Sequence, residues 1–228
     1  MGEQVVLTAA DGHELAAYVA RPEGVVRGAV VVVQEIFGVN AHIRSVADRF
    51  AAEGYVAIAP ALFDRVKRGI ELKYEGLDAA EAMGLMMLLN EESALEDIAA
   101  AFARVSGEGN GTAVVGFCYG GKMSWLAATR GEAEGMRPAG CVAYYPGGIG
   151  KVAEEMPRCA VMVHVGEADS HIGRDQIEAL ERAHPEVPVF LYPGAEHGFN
   201  CDARSAYNAE QAKVAWGRTM EFLAVHVG

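Results

Sequence analysis

Short runs of β-branched and other apolar residues recur along this chain, separated by longer segments of helical spacing. This alternation constrains the fold more than any other feature. The clearest runs are Ala29–Val33, Val56–Ala59, Ala113–Val115, Cys141–Tyr144, Ala160–Val165 and Val189–Leu191. They are apolar nearly throughout, the pattern of strands buried on both faces of a parallel sheet. Two earlier strands, Val5–Thr8 and Leu15–Ala20, flank the turn residues Asp11-Gly12 and predict an antiparallel hairpin at the sheet edge. Helices are expected at about Ala41–Glu53, Ala79–Leu89, Ala94–Val105, Lys122–Thr129, Gly173–Arg182 and Ala206–Val225. The stretch from Ala61 to Leu77 mixes charge with few periodic apolar residues. It reads as a loop over the carboxyl ends of the strands, where open α/β sheets bind ligands. No linker, repeat or low-complexity block interrupts the 228 residues, so the simplest reading is one α/β domain with helices on both faces of a mainly parallel sheet.

Charge and cysteine usage narrow the function. A net charge of −12 opposes nucleic acid and anionic membrane as partners, and the basic cluster Arg65-Val66-Lys67-Arg68 is too short to reverse that. The longest apolar runs have strand length, far below a membrane span. The N-terminus has neither a basic stretch nor a long apolar one, so no signal peptide is expected. Cys118, Cys141, Cys159 and Cys201 show no Cys-x-x-Cys and no disulfide-framework spacing, which fits a reducing cytoplasm. No His/Cys/carboxylate group has metal-ligand spacing, so neither metal nor cofactor is expected.

The chemistry concentrates at Gly116-Phe117-Cys118-Tyr119-Gly120-Gly121, a G-x-S-x-G nucleophile elbow with cysteine in place of serine. Strand-like residues lead in and a helical run leads out, the context the motif requires. The turn strains its central residue, so Gly116 and Gly120 must be small, and Gly121 lets the helix pack close. The helix N-terminus then offers free N–H groups to Cys118. The competing reading is a buried cysteine at an ordinary strand end. A nucleophilic thiol needs a base, and His197, on the loop Pro193-Gly194-Ala195-Glu196-His197-Gly198-Phe199 after the last strand, is placed to serve. Asp169, in the loop after Ala160–Val165, is the preferred orienting acid, with Glu167 its rival; helix capping is the structural alternative for Asp169. The order Cys118, Asp169, His197 matches the nucleophile–acid–base order of α/β-hydrolases. One oxyanion donor should be the Tyr119 amide and the other that of Ile36, in the loop Gln34-Glu35-Ile36-Phe37-Gly38. Glu35 stands beside that loop, either facing the thiol or pairing at the surface with Arg44 or Arg49.

These stretches, with Glu53-Gly54-Tyr55-Val56-Ala57-Ile58-Ala59-Pro60, Gly166-Glu167-Ala168-Asp169 and His197-Gly198-Phe199, closely resemble the dienelactone hydrolase family of α/β-hydrolases over nearly the whole chain. The resemblance implies an α/β-hydrolase fold and a triad of Cys118, Asp169 and His197. It also implies that Glu35 contacts the resting thiol and that the Ile36 and Tyr119 amides form the oxyanion hole. The implied substrate is a small-molecule ester or lactone, and a monomer or weak homodimer is expected. Dienelactone-cleaving members hold the substrate carboxylate with two arginines. Here Ala79–Leu89 has no arginine, the position four residues after His197 is Cys201, and Arg204 is offset by three. If the apolar Ala79–Leu89 helix lines the pocket, the favoured acyl group is more apolar and less anionic; the alternative is a core-facing helix. Phe37 and Tyr145 follow strand ends and read either as pocket walls or as core, and Arg204 is a substrate-binding candidate. Other functions weighed are a thioesterase and a non-turnover redox-sensing or ligand-binding protein with a reactive cysteine.

Overall fold

Gly12 adopts φ +86°, and its amide donates to the Ala9 carbonyl at 2.9 Å. This turns β1 (Glu3–Thr8) back along β2 (Glu14–Ala20) as the expected antiparallel edge hairpin. The computed structural model describes residues 2–228. The remaining strands are β3 (Gly28–Val33), β4 (Tyr55–Pro60), β5 (Thr112–Phe117), β6 (Gly140–Tyr144), β7 (Ala160–Gly166) and β8 (Val189–Tyr192). They form one sheet in the order β1-β2-β4-β3-β5-β6-β7-β8. β2 runs antiparallel to β1 and β4, and every other pairing is parallel.

β3, β4, β5 and β6 are buried along their full lengths, because helices cover both faces. The helices are α1 (Ala41–Ala52), α2 (Gly76–Leu88), α3 (Glu91–Val105), α4 (Tyr119–Arg130), α5 (Arg174–Ala183) and α6 (Ala209–His226). α1 and α6 meet where the rings of Phe50 and Trp216 lie 4.7 Å apart, while α3 and α4 pack together against the central strands. Three helices start on an asparagine whose side chain accepts a first-turn amide: Asn40 from Ile43, Asn90 from Glu92 and Ser93, and Asn208 from Gln211. These caps explain two shifted boundaries. α3 begins three residues before the expected Ala94, and α6 begins three residues after the expected Ala206.

The stretch from Ala61 to Leu77 is more ordered than a loop. Leu62–Arg65 is a 3-10 turn, Gly38 and Glu71 form an antiparallel bridge, and α2 starts at Gly76. Arg65 anchors it, reaching both Asp97 oxygens at 2.8 Å and Asp11 at 2.6 Å. Lys67 pairs with Glu81, and Arg68 donates to the Glu14 carbonyl. The basic cluster is thus spent on internal contacts. No helix among the described residues is long and apolar enough to cross a membrane.

Candidate active site

The elbow forms between β5 and α4. Cys118 holds φ 55° and ψ −114°, a backbone state that non-glycine residues rarely adopt. Its amide donates to the Tyr144 carbonyl at 3.0 Å, and its carbonyl accepts from Lys122 and Gly147. The three glycines do what the motif demands. A methyl group on Gly116 would run into the Gly120 carbonyl, one on Gly120 into the Val33 and Gln34 carbonyls, and one on Gly121 into the Tyr144 carbonyl at 2.5 Å. Cys118 is half-buried and lines a cavity of about 400 Å³.

The loops after β7 and β8 carry Asp169 and His197. The two loops are stitched together by the Glu167 amide on the Tyr192 carbonyl and the Ala168 amide on the Ala195 carbonyl, both at 2.9 Å. His197 Nδ1 and Asp169 Oδ2 therefore meet at 2.8 Å. Asp169 Oδ1 accepts from the His171 and Ile172 amides, so the carboxylate is held on both oxygens. It does not cap α5, whose N-cap is Gly173, and Glu167 is exposed with no contact to His197. Burial alone would keep the His197 imidazole neutral, but the Asp169 carboxylate and the Cys118 sulfur outweigh it and raise its pKa to about 10. The raised value stabilises the fold fully below the ordinary 6.5, and that contribution fades as pH climbs through about 10. In an NMR titration of the imidazole C–H resonances, Asp169→Asn should lower the His197 midpoint, because one opposing charge is gone. A midpoint indifferent to that substitution would remove Asp169 from its role.

The loop after β3 supplies the other wall. Gln34 is fully buried; it accepts from the Leu62 amide and donates to the Glu35 carbonyl. The Leu72 amide donates to the Phe37 carbonyl at 2.9 Å, and Gly38 takes φ +79° against Ile70. The loop is clamped with Ile36 and Phe37 on the cavity. Among the described residues the Ile36 amide has no protein acceptor, and Tyr119 opens α4, where amides lack intrahelical partners. Both amides are free for a ligand oxygen.

Glu35 is buried and pairs with neither Arg44 nor Arg49. Arg44 binds Glu71, and Arg49 stacks on Trp216. Glu35 Oε1 instead accepts from Arg204 Nη1 at 3.4 Å, and Oε2 has no partner among the described residues. Glu35 shares no hydrogen bond with Cys118 among those residues; the hydrogen bond its carboxylate makes is to Arg204. Arg204 reaches inward past Gly198, where any side chain would strike its guanidinium, and lies over the rings of Phe37 and Tyr74. Burial, with the Glu35 charge nearby, pushes the Cys201 thiol up to about 12.

Tyr145 is not a pocket wall. Its φ of 34° turns the ring inward, fully buried, with its centroid 5.1 Å from that of His197. It backs the histidine from below. α2 is not simply core-facing: Ala82 and Leu85 are buried, while Met83 and Met86, with Leu89 just beyond the helix, line the cavity. Sequence reading missed Lys122, Glu91, Lys151 and His171, all on the cavity. Asp169, His171 and His197 also bring three donor atoms within 4.8 Å of one another, although Asp169 and His197 are already committed to each other.

Comparison with known proteins gives the family. The profile of the Dienelactone hydrolase family matches residues 15–227. The chain is 35% identical to a Synechocystis sp. protein named "Putative carboxymethylenebutenolidase", over 91% of this chain and 90% of that one. It is 30% identical to the carboxymethylenebutenolidase of Pseudomonas putida, over 97% and 96%. The crystal structure of a "Putative Dienelactone Hydrolase" from Klebsiella pneumoniae subsp. pneumoniae superposes with a TM-score of 0.80 at 30% identity, covering 97% of this chain and 99% of that one. With a profile match over almost its whole length and relatives of this identity at both ends of the same span, the chain belongs to the dienelactone hydrolase family of α/β-hydrolases.

Proposed function

We propose that the protein hydrolyses a carboxylic ester or lactone through a Cys118–His197–Asp169 triad and a thioester acyl-enzyme. The observation that carries this reading is the 2.8 Å bond between His197 and Asp169, with Cys118 on the wall of the same cavity as His197. Nδ1 of His197 is occupied by Asp169, which leaves Nε2 to hold the proton it shares with the Cys118 sulfur while Sγ attacks the carbonyl carbon. The negative charge that develops on the carbonyl oxygen is met by the Ile36 and Tyr119 amides; losing one such donor typically costs about 10²–10³ in rate. His197 then protonates the leaving alkoxide, and in the second half activates the water that cleaves the thioester. Phe37 supplies cavity wall, and Arg204 holds Glu35 until a substrate changes that pairing. A free catalytic thiol suits a reducing compartment such as the cytoplasm.

The redox-sensing alternative gains nothing from an aligned acid and base, which a sensing thiol does not need. Mixing the protein with excess 4-nitrophenyl ester and quenching within the first turnover tests the reading. Intact mass should rise by one acyl group, and peptide mapping should place it on Cys118. Turnover with the acyl group found elsewhere, or with none trapped under burst conditions, would rule out the covalent route.

A further inference from the structure

The cavity has the wrong sign for this protein. The chain carries a net charge of −12, yet the cavity beside Cys118 is lined by Lys122, Lys151 and Arg204 against one carboxylate, Glu91. A cleft of opposite sign in an acidic molecule focuses its field on anions. Two of the three cations are already matched: Lys122 Nζ lies 2.5 Å from Glu91 Oε1, and Arg204 Nη1 lies 3.4 Å from Glu35 Oε1. Lys151 forms no ion pair among the described residues.

The backbone beneath Lys151 is tied to the nucleophile. The chain leaves β6 through the strained Tyr145, and the Gly147 amide donates to the Cys118 carbonyl at 3.3 Å. Ile149–Lys151 then forms a short 3-10 turn, fixed by the Lys151 amide on the Gly148 carbonyl and by the Gly150 amide on Gln176 Oε1. A methyl group on Gly147 would stand 4.0 Å from Cys118 Sγ, so the glycine leaves the space beside the sulfur open. Met83, Met86 and Leu89 also line the cavity and give it an apolar wall.

We infer that Lys151 is a specificity-determining residue that binds a carboxylate on the substrate, remote from the scissile carbonyl, while the α2 methionines hold the apolar body between them. This rests on the hydrolase reading above. It also changes what the missing arginines imply: the apolar helix lines the cavity, but the anion site moves to the loop after β6 instead of disappearing.

The test uses two aryl esters of matched length, 4-nitrophenyl valerate and mono-4-nitrophenyl glutarate, with wild type, Lys151→Gln and Lys151→Arg. Wild type should favour the glutarate. Lys151→Gln should reduce the glutarate-to-valerate ratio of kcat/KM about tenfold, mainly through KM, the scale of one charged contact. Lys151→Arg should keep the ratio within about threefold, because it keeps the charge. Raising ionic strength should erode the wild-type preference. An unchanged ratio in Lys151→Gln, or equal loss in Lys151→Arg, would overturn the inference. Calorimetry with monomethyl glutarate on Cys118→Ala, with and without Lys151→Gln, separates the two readings. Weaker binding in the double variant, with no turnover by wild type, would retain the subsite and reject the hydrolase. Equal binding would reject the subsite, whatever the turnover.

Discussion

Cys118→Ala should lower kcat/KM for a 4-nitrophenyl ester by at least about 10⁴-fold while leaving circular dichroism and thermal midpoint close to wild type. The size follows from the role. Removing the nucleophile of a triad hydrolase typically costs about 10⁶ in kcat, and what survives comes from the oxyanion hole and binding. The fold should persist because the alanine inherits the same strained φ of 55°, and the hydrogen bonds that define the turn are made by backbone atoms of residue 118. The variant also removes one of the two partners that raise His197, so the imidazole should titrate lower than its present value of about 10. Cys118→Ser is the informative companion. It preserves the elbow and a protic nucleophile, and residual activity there with none in Cys118→Ala would assign the attack to the side chain at 118. Near-wild-type turnover in Cys118→Ala would mean that Glu35 or His197 activates water directly, and the covalent mechanism would be abandoned.

The residues of the proposed triad could be picked out because each stands just beyond a strand end and carries a local marker. Cys118 has glycines two residues to either side, His197 is followed by Gly198 and preceded by the Gly194 turn, and Asp169 follows the close-packed Gly166. Those markers are short-range. What escaped depends on contacts between distant parts of the chain. Glu35 and Arg204 are 169 residues apart, and their pairing needs the gap at Gly198, which no spacing in the sequence discloses. Lys122 and Glu91 meet across 31 residues. Tyr145 could be read as wall or core, and the sequence could not choose between them because a positive φ at a bulky residue has no sequence signature; the ring is in the core. The stretch from Ala61 to Leu77 looked like loop because its order comes from Arg65 meeting Asp97 on another helix. The start of α3 was available in principle, since Asn90-Glu91-Glu92 is a good N-cap followed by acidic first-turn residues.

Gly116→Ala should cost at least about 3 kcal/mol, a fall in thermal midpoint of roughly 6–12 °C for a domain of this size, and activity should fall further still. Gly116 is not in the left-handed region, so alanine has an allowed backbone conformation there. In such positions Gly→Ala ordinarily stabilises by about 0.4–1 kcal/mol through the unfolded chain. The reversal of sign therefore isolates crowding. The added methyl would overlap the Gly120 carbonyl, and Gly120 cannot retreat because it is itself pressed against the carbonyls of Val33 and Gln34. Both obstacles are backbone, so the elbow must shift as a unit, and a displacement of about 1 Å at a nucleophile is enough to cost about 10² in rate. Gly84→Ala supplies the internal control. It makes the same chemical change in the exposed middle of α2, where the new methyl meets nothing within 4 Å. There the expected effect is stabilisation of up to about 1 kcal/mol from helix propensity. Opposite signs for the two substitutions would show that close approach of strand, turn and helix fixes the elbow glycines. Equal effects would show instead that the turn tolerates a side chain at position 116, and that the positioning of Cys118 depends on something other than this contact.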